Sequence, residues 1–166
     1  EEGTAASDMT AADIHHLQDL YDDEIAFFDM KFGELMSALE ERHLLKNTMI
    51  VLTADHGEEF NEHGFVKHAH ALFDTAIHVP LIIRFPSAPA GRTDGVVQSL
   101  DIVPTLLDYA GVDARNAGLK GRSLRPLIEE EKSVNEYAFA VHGTWRSVTD
   151  GTFKMIRTSG RERKKL

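Results

Sequence analysis

The sequence has no cysteine among its 166 residues. That excludes a disulfide scaffold, a thiolate metal site and a cysteine nucleophile within the chain. Tryptophan occurs once and proline five times, so neither an aromatic-rich nor a proline-rich architecture is present. No apolar run approaches the roughly 20 residues that cross a bilayer as a helix. Basic residues are the minority: 18 Lys and Arg against 27 Asp and Glu give a formal charge of -9. An acidic chain lacks the basic surface that nucleic acid and anionic membranes require, and neither is expected as a partner. The first ten residues, Glu1 to Thr10, carry no apolar signal-peptide core.

What is present is ordinary for a globular chain, with 42% hydrophobic and 27% charged residues. Residues 1–12 read as a flexible leader. From Asp13 to His43 the apolar positions Tyr21, Ile25, Phe28, Phe32, Leu35 and Leu39 recur at alternating spacings of four and three. This is helical periodicity and predicts one face on a core. Asp29 flanks that stripe and is expected to make a buried structural hydrogen bond. His15, His16 and His43 are expected on the helix surface.

Thr48 to Ala54 and Val79 to Phe85 are nearly continuous β-branched or aliphatic runs. Such runs fit strands buried on both faces, as in a parallel sheet covered by helices. Pro86 to Gly95, which includes Ser87-Ala88-Pro89, reads as a surface loop. Ser99 to Ala110 reads as a second helix, capped by Ser99 or Asp101 and ended by Gly111. Leu124 to Glu131 suggests a short helix. Residues 137–141, 145–148 and 153–157 suggest three strands, the last two joined through Asp150-Gly151. Trp145 is expected in core packing, and the Arg161 to Lys165 cluster as a solvated strand end.

The expected fold class is therefore α/β: a partial, mostly parallel sheet flanked by helices, with a small antiparallel β extension at the C-terminal end. The organisation expected is a leader over 1–12, an α/β domain over 13–130 and a truncated β subdomain over 131–166.

Chemistry concentrates between Asp55 and His78. Five of the nine histidines fall there: His56, His63, His68, His70 and His78. Asp55, Glu58, Glu59 and Glu62 join them. Asp55-His56-Gly57 directly follows the first apolar run, and ligands of open α/β sheets bind beyond the carboxyl ends of strands. A carboxylate and an imidazole there can share a divalent cation. If His68-Ala69-His70 is extended, its two imidazoles share one side. A plainer reading makes Asp55 a helix N-cap with Glu58 as its capping-box partner. That reading leaves the density of histidine without a reason. His78, just before the second strand, is expected to be structural.

The run Asn47-Thr48-Met49-Ile50-Val51-Leu52-Thr53-Ala54-Asp55-His56-Gly57-Glu58-Glu59-Phe60 resembles a segment of sulfatases, in the alkaline phosphatase superfamily. So do Glu62-His63-Gly64, Lys67 to Asp74 and His78 to Arg84. The preceding helix from Tyr21 to Leu45, the Ser99 to Val112 helix and Gly121-Arg122-Ser123-Leu124 are also similar to family segments, in order. The resemblance implies hydrolysis of sulfate esters by a nucleophile, either a formylglycine or a plain Ser or Thr. A divalent cation neutralises the transferring group.

On that resemblance Asp55 and His56 are metal ligands. His68 and His70, with Lys67 as a lesser candidate, are the groups that contact the sulfate and protonate the leaving oxygen. Calcium is the first expectation for the ion, with manganese, magnesium or zinc as alternatives. The family's nucleophile motif is not found here, so a formylglycine would lie outside these residues. The chain reads as the C-terminal part of a sulfatase, inactive alone, whose partner is the N-terminal half of the same protein. The expected substrate is a sulfate-ester small molecule or glycan, and the family favours a periplasmic or extracellular setting.

The alternatives are a phosphodiesterase, phosphonate hydrolase or phosphoethanolamine transferase of the same superfamily, or a non-catalytic metal- or partner-binding domain. A further one is a zinc loop that uses His56, His63, His68 and His70 on an unrelated fold.

Overall fold

The computed structural model describes residues 9–68, 71–86, 90–114 and 117–159. Four features expected from sequence lie wholly or partly outside them: the leader over residues 1–8, His70, Ser87-Ala88-Pro89 and the cluster from Arg161 to Lys165. The chain forms two compact units, Glu1–Pro86 and Ser87–Leu166.

The first unit opens with helix α1, Ala11–Glu41. Thr10 starts it through a capping box: its hydroxyl accepts the Asp13 N–H at 3.3 Å and its own N–H donates to the Asp13 carboxylate at 2.8 Å. The Thr10 hydroxyl also donates to that carboxylate at 2.7 Å, and this bond first, then the one from the Thr10 N–H, holds the Asp13 carboxyl below its ordinary range. The helix ends in a Schellman turn. His43 N–H donates to the Glu40 carbonyl and Leu44 N–H to the Leu39 carbonyl, with His43 in the left-handed region at φ 57°. His43 is thus the residue that stops the helix, where glycine is the usual occupant.

No residue of α1 is buried, and Phe28 keeps 55% of its surface exposed. The expectation of a core-facing stripe is corrected here. The spacing is helical, but the only ring contact from the stripe to another element among the described residues is Tyr21 edge-on to Phe60, with centroids 5.4 Å apart. Asp29 is exposed, so its expected buried hydrogen bond is absent. No helix of the described residues is long and apolar enough to cross a membrane.

Strand β1, Ile50–Thr53, pairs with β4, Leu81–Arg84, in antiparallel register: Ile50 faces Arg84 and Thr53 faces Leu81. The expected parallel sheet is therefore replaced by an antiparallel pair, and every ladder among the described residues is antiparallel. Parallel neighbours are usually joined through a crossover helix. Among the described residues between β1 and β4, the helical segment is the single turn α2, Asp74–Ile77, and a small hairpin is formed by β2, Glu59–Phe60, and β3, Val66–Lys67. The strands are half-buried rather than buried on both faces. Arg84 anchors β4 by donating to the carbonyls of Leu45 and Thr48 at 2.7 and 3.1 Å.

In the second unit a single 3-10 turn, Ser99–Asp101, leads into α3, Ile102–Tyr109. Asp101 makes no side-chain cap bond to α3, but it completes a capping box with Gln98 on the 3-10 turn; its side chain is fully buried and serves as a junction. It accepts from Gln98 N–H at 3.0 Å, Arg122 N–H at 2.8 Å and Asn135 Nδ2 at 2.7 Å. Thr105 adds to the knot, donating to the Asp101 carbonyl and accepting from Leu124 N–H at 2.9 Å. Gly111, at φ 71°, closes α3 as expected.

Helix α4, Arg125–Glu130, follows. Strands β5, Ala138–His142, β6, Trp145–Thr149, and β7, Lys154–Thr158, then form one antiparallel sheet in chain order. The last hairpin turns through Asp150, whose carboxylate accepts the N–H groups of Thr152 and Phe153 at 2.8 and 2.7 Å.

Candidate metal centre

The first polar residue of the segment, Asp55, comes just after β1 ends at Thr53. No helix starts there, so the capping reading of Asp55 and Glu58 falls. Instead the chain bends at Asp55 and Gly57 then packs onto α2. The Gly57 N–H donates to the Ala76 carbonyl at 2.8 Å. A Cβ at this position would stand 2.0 Å from the Thr75 carbonyl oxygen. Only glycine lets the backbone press that closely on α2, and this contact aims the residues on either side.

Asp55 projects into solvent with its side chain 89% exposed. Its Oδ1 accepts the His56 N–H at 3.0 Å and its Oδ2 lies 3.6 Å from His56 Nε2. His56 Nδ1 sits 3.1 Å from the Gly57 carbonyl oxygen, which can only accept, so the ring proton belongs on Nδ1. Nε2 then keeps its lone pair beside a carboxylate oxygen. A carboxylate and a free imidazole nitrogen side by side are the donors a divalent cation uses.

His68 arrives from the other direction, immediately after β3. Its ring lies against that of His56, with centroids 4.0 Å apart and planes inclined by 32°. Its Nδ1 donates to Glu58 Oε1 at 2.7 Å. His56, Glu58 and His68 each offer one ligand atom, and these atoms lie within 4.8 Å of one another. The donors fall into two overlapping groups that share His56, both open to solvent at a strand end: the Asp55–His56 pair, a carboxylate beside an imidazole that fits a divalent cation, and the triad of His56, Glu58 and His68, which does not include Asp55. Lys67 occupies the left-handed region at φ 79° and is exposed on β3.

The remaining histidines separate from this group. His63 stacks flat on Phe73, centroids 3.6 Å apart, and its Nδ1 lies 3.3 Å from Glu59 Oε1. Glu59 is buried, 2% exposed, and holds the hairpin to α2 through the Thr75 hydroxyl at 3.1 Å. His78 closes α2 through its backbone N–H. The four-histidine zinc arrangement therefore lacks His63 among the described residues.

Sequence reasoning missed the different parts played by Glu58 and Glu59. Neighbours on an extended chain face opposite ways. One of the pair turns out to His68, the other in to Thr75 and His63. That alternation was the available signal.

A protein-family model described as Sulfatase matches residues 1–112. Arylsulfatase K of Mus musculus is 36% identical over 136 residues, which is 81% of this chain and 24% of that protein. The chain thus spans about a quarter of the length of the curated relatives it matches. Among solved structures, the phosphonate monoester hydrolase of Agrobacterium radiobacter superposes with a TM-score of 0.82 at 28% identity, covering 93% of this chain and 35% of that one. Another, solved in complex with its substrate D-glucosamine-2-N,6-O-disulfate, gives a TM-score of 0.66 at 32% identity, covering 78% of this chain and 29% of that one.

Proposed function

The chain belongs to the sulfatase family of the alkaline phosphatase-like superfamily, and from that premise we propose that it carries the late half of the metal site and the leaving-group contact of a sulfuric ester hydrolase. The observation that carries this reading is the adjacency of three side chains. Asp55 Oδ2 is 3.6 Å from His56 Nε2, and the His56 ring lies against that of His68.

A bound divalent cation, calcium in the first instance, would supply charge neutralisation for the transferring sulfuryl group. Asp55 and His56 are the residues that hold it. Two ligands fall short of the four to eight that divalent sites use, so further donors and the nucleophile come from residues outside this chain. By itself the chain turns over no ester.

His68 is the group we assign to the leaving oxygen, and its contacts with His56 and Glu58 support that role. With Nδ1 hydrogen-bonded to Glu58, its Nε2 is the atom that presents a proton, and imidazole has a pKa near working pH. Glu58 orients that ring. Lys67 and His70 are secondary candidates for the same contact. The substrate class is a sulfated small molecule or sugar; the relative solved with a glucosamine disulfate supports that choice. A second reading, hydrolysis of phosphonate or phosphate monoesters, is favoured by the likeness to the Agrobacterium radiobacter enzyme.

The test uses the intact hydrolase. Asp55→Ala or His56→Ala is expected to abolish turnover of a 6-O-sulfated glucosamine and to lower calcium content. His68→Ala is expected to cut turnover about 100-fold while calcium content stays near that of the parent. Full activity in Asp55→Ala would sink the assignment. Faster turnover of a phosphonate monoester than of the sulfate would select the second reading.

A further inference from the structure

The pair Asp55 and His56 does not exhaust the donors at this strand end. His56, Glu58 and His68 form a separate cluster whose ligand atoms lie within 4.8 Å of one another. Its chemistry differs from that of a calcium site. Calcium takes six to eight oxygens, and these three residues offer it one carboxylate. Two imidazoles with one carboxylate are the donor set of zinc and the neighbouring transition ions.

Geometry makes the same point. The two rings already lie with centroids 4.0 Å apart and planes tilted by 32°, and His68 and Glu58 share one proton at 2.7 Å. None of the three side chains is buried, so an ion can reach them without opening the fold. Tetrahedral zinc with bonds of about 2.0–2.1 Å needs ligand atoms about 3.3 Å apart. The His68–Glu58 pair, at 2.7 Å, has to open slightly to admit the ion, while all three ligand atoms already lie within 4.8 Å of one another. The members sit on the segment around Gly57 and just beyond β3, the two sides of a hairpin whose ladder is only two residue pairs long. His63 is held away from it by its stack on Phe73.

We propose that His56, Glu58 and His68 bind a zinc-class cation that competes with the catalytic arrangement. The ion replaces the proton between His68 and Glu58 and ties the His68 ring to His56. His68 is then withdrawn from the leaving oxygen, and His56 from the Asp55 pair. Zinc is thereby an inhibitor of the hydrolase, not its resident ion. The binding part stands on the donor set alone; only the inhibition rests on the function proposed above.

Binding is tested on this chain by competing zinc against a chromophoric chelator with calcium in large excess, and by the absorption spectrum of the cobalt(II) form. One equivalent of zinc is expected to bind despite the calcium, with tetrahedral cobalt bands. His68→Ala and the isosteric Glu58→Gln are each expected to weaken zinc more than about tenfold. His63→Ala is expected to leave affinity unchanged, and circular dichroism checks that each variant is folded.

Displacement of zinc by calcium would overturn the proposal. So would a loss in His63→Ala equal to that in His68→Ala. A third failure is loss in Asp55→Ala with none in His68→Ala, which would put the ion on the Asp55–His56 pair. In the intact hydrolase, zinc is expected to slow the parent and to slow Glu58→Gln less. Equal inhibition of both would overturn the competition. A parent without sulfate-ester activity would instead reject the functional reading and leave the zinc measurement intact.

Discussion

The two units use their acidic residues in opposite ways. In the second unit Asp101 is fully buried and its carboxylate accepts three hydrogen bonds, from Gln98, Arg122 and Asn135. Both oxygens are engaged in holding three segments of chain together. In the first unit Asp55 is 89% exposed and, among the described residues, bonds to its own neighbour His56. Glu58 and His68 satisfy each other at the surface. Buried and saturated polar groups specify a fold, because stranding any one of them is costly. Exposed groups that converge while keeping lone pairs do little for stability and are free to bind. A carboxylate's role thus follows from what its oxygens already do. Glu59 lies between the extremes: it is buried, one oxygen serves Thr75 and His63, and the other has no hydrogen-bond partner.

The sharpest way to break this contrast is to remove Asp101. Asp101→Ala strands two backbone N–H groups and the Asn135 amide in a dry site. An unsatisfied buried group costs about 1–3 kcal/mol, and the three are not additive, so a loss of about 3–5 kcal/mol is expected. That is a large share of the stability of a small unit. Urea unfolding followed by circular dichroism is the measurement, and zinc affinity at His56, Glu58 and His68 is expected to be unchanged in the folded variant. A midpoint equal to that of the parent would mean that Asp101 is not the knot described. A matched loss of zinc affinity would mean that the two roles are not separable.

A gentler comparison uses glycine. Each unit has one pressed against a carbonyl oxygen: a Cβ on Gly57 would lie 2.0 Å from Thr75 O, and one on Gly121 would lie 2.0 Å from Leu100 O. Both oxygens belong to backbone and cannot swing aside. Gly57→Ala and Gly121→Ala are each expected to cost about 1–3 kcal/mol. Only Gly57→Ala is expected to weaken zinc as well, by about tenfold, because the segment it packs onto α2 carries both His56 and Glu58. Equal affinities in the two variants would show that this contact does not aim the ligands.

How much of this was legible follows the range of the interaction. Helical spacing from Tyr21 to Leu39 and the apolar run before Asp55 are local signals, and α1 and β1 appear where those signals put them. The three C-terminal strands and the Gly111 stop were legible for the same reason. The direction of β4 was not, because an apolar strand reads alike in either direction. Burial of the α1 stripe was misread because periodicity reports which face is apolar and not what covers it. Within the site, Asp55 and His56 were picked out by residue type and position after a strand, and His68, together with His70, by the resemblance to sulfatases. The split between Glu58 and Glu59 needed the fold of the hairpin, since two adjacent glutamates are chemically identical on paper.

The smallest effect tests the same distinction in a titration. Tyr109, in the second unit, has its phenol pushed up to about 12, first by burial and then by the charge of nearby Glu129. An unfolded tyrosine titrates near 10, so between about 10 and 12 the folded state holds a proton that the unfolded state releases. The stabilisation is complete below pH 10 and is lost as the pH rises through the folded value. A shift of this size is worth at most about 2–3 kcal/mol, and partial exposure of the group reduces it. Phenolate absorbance separates Tyr109 from Tyr21 and Tyr137 by comparison with Tyr109→Phe. Tyr137 is also raised, first by its hydrogen bond with Glu136, so the expected result is a late-ionising component that disappears in Tyr109→Phe and moves to lower pH in Glu129→Gln. Ionisation near 10 in the folded protein would show that this hydroxyl is open to water, and that the second unit is less closed around its polar groups than Asp101 makes it.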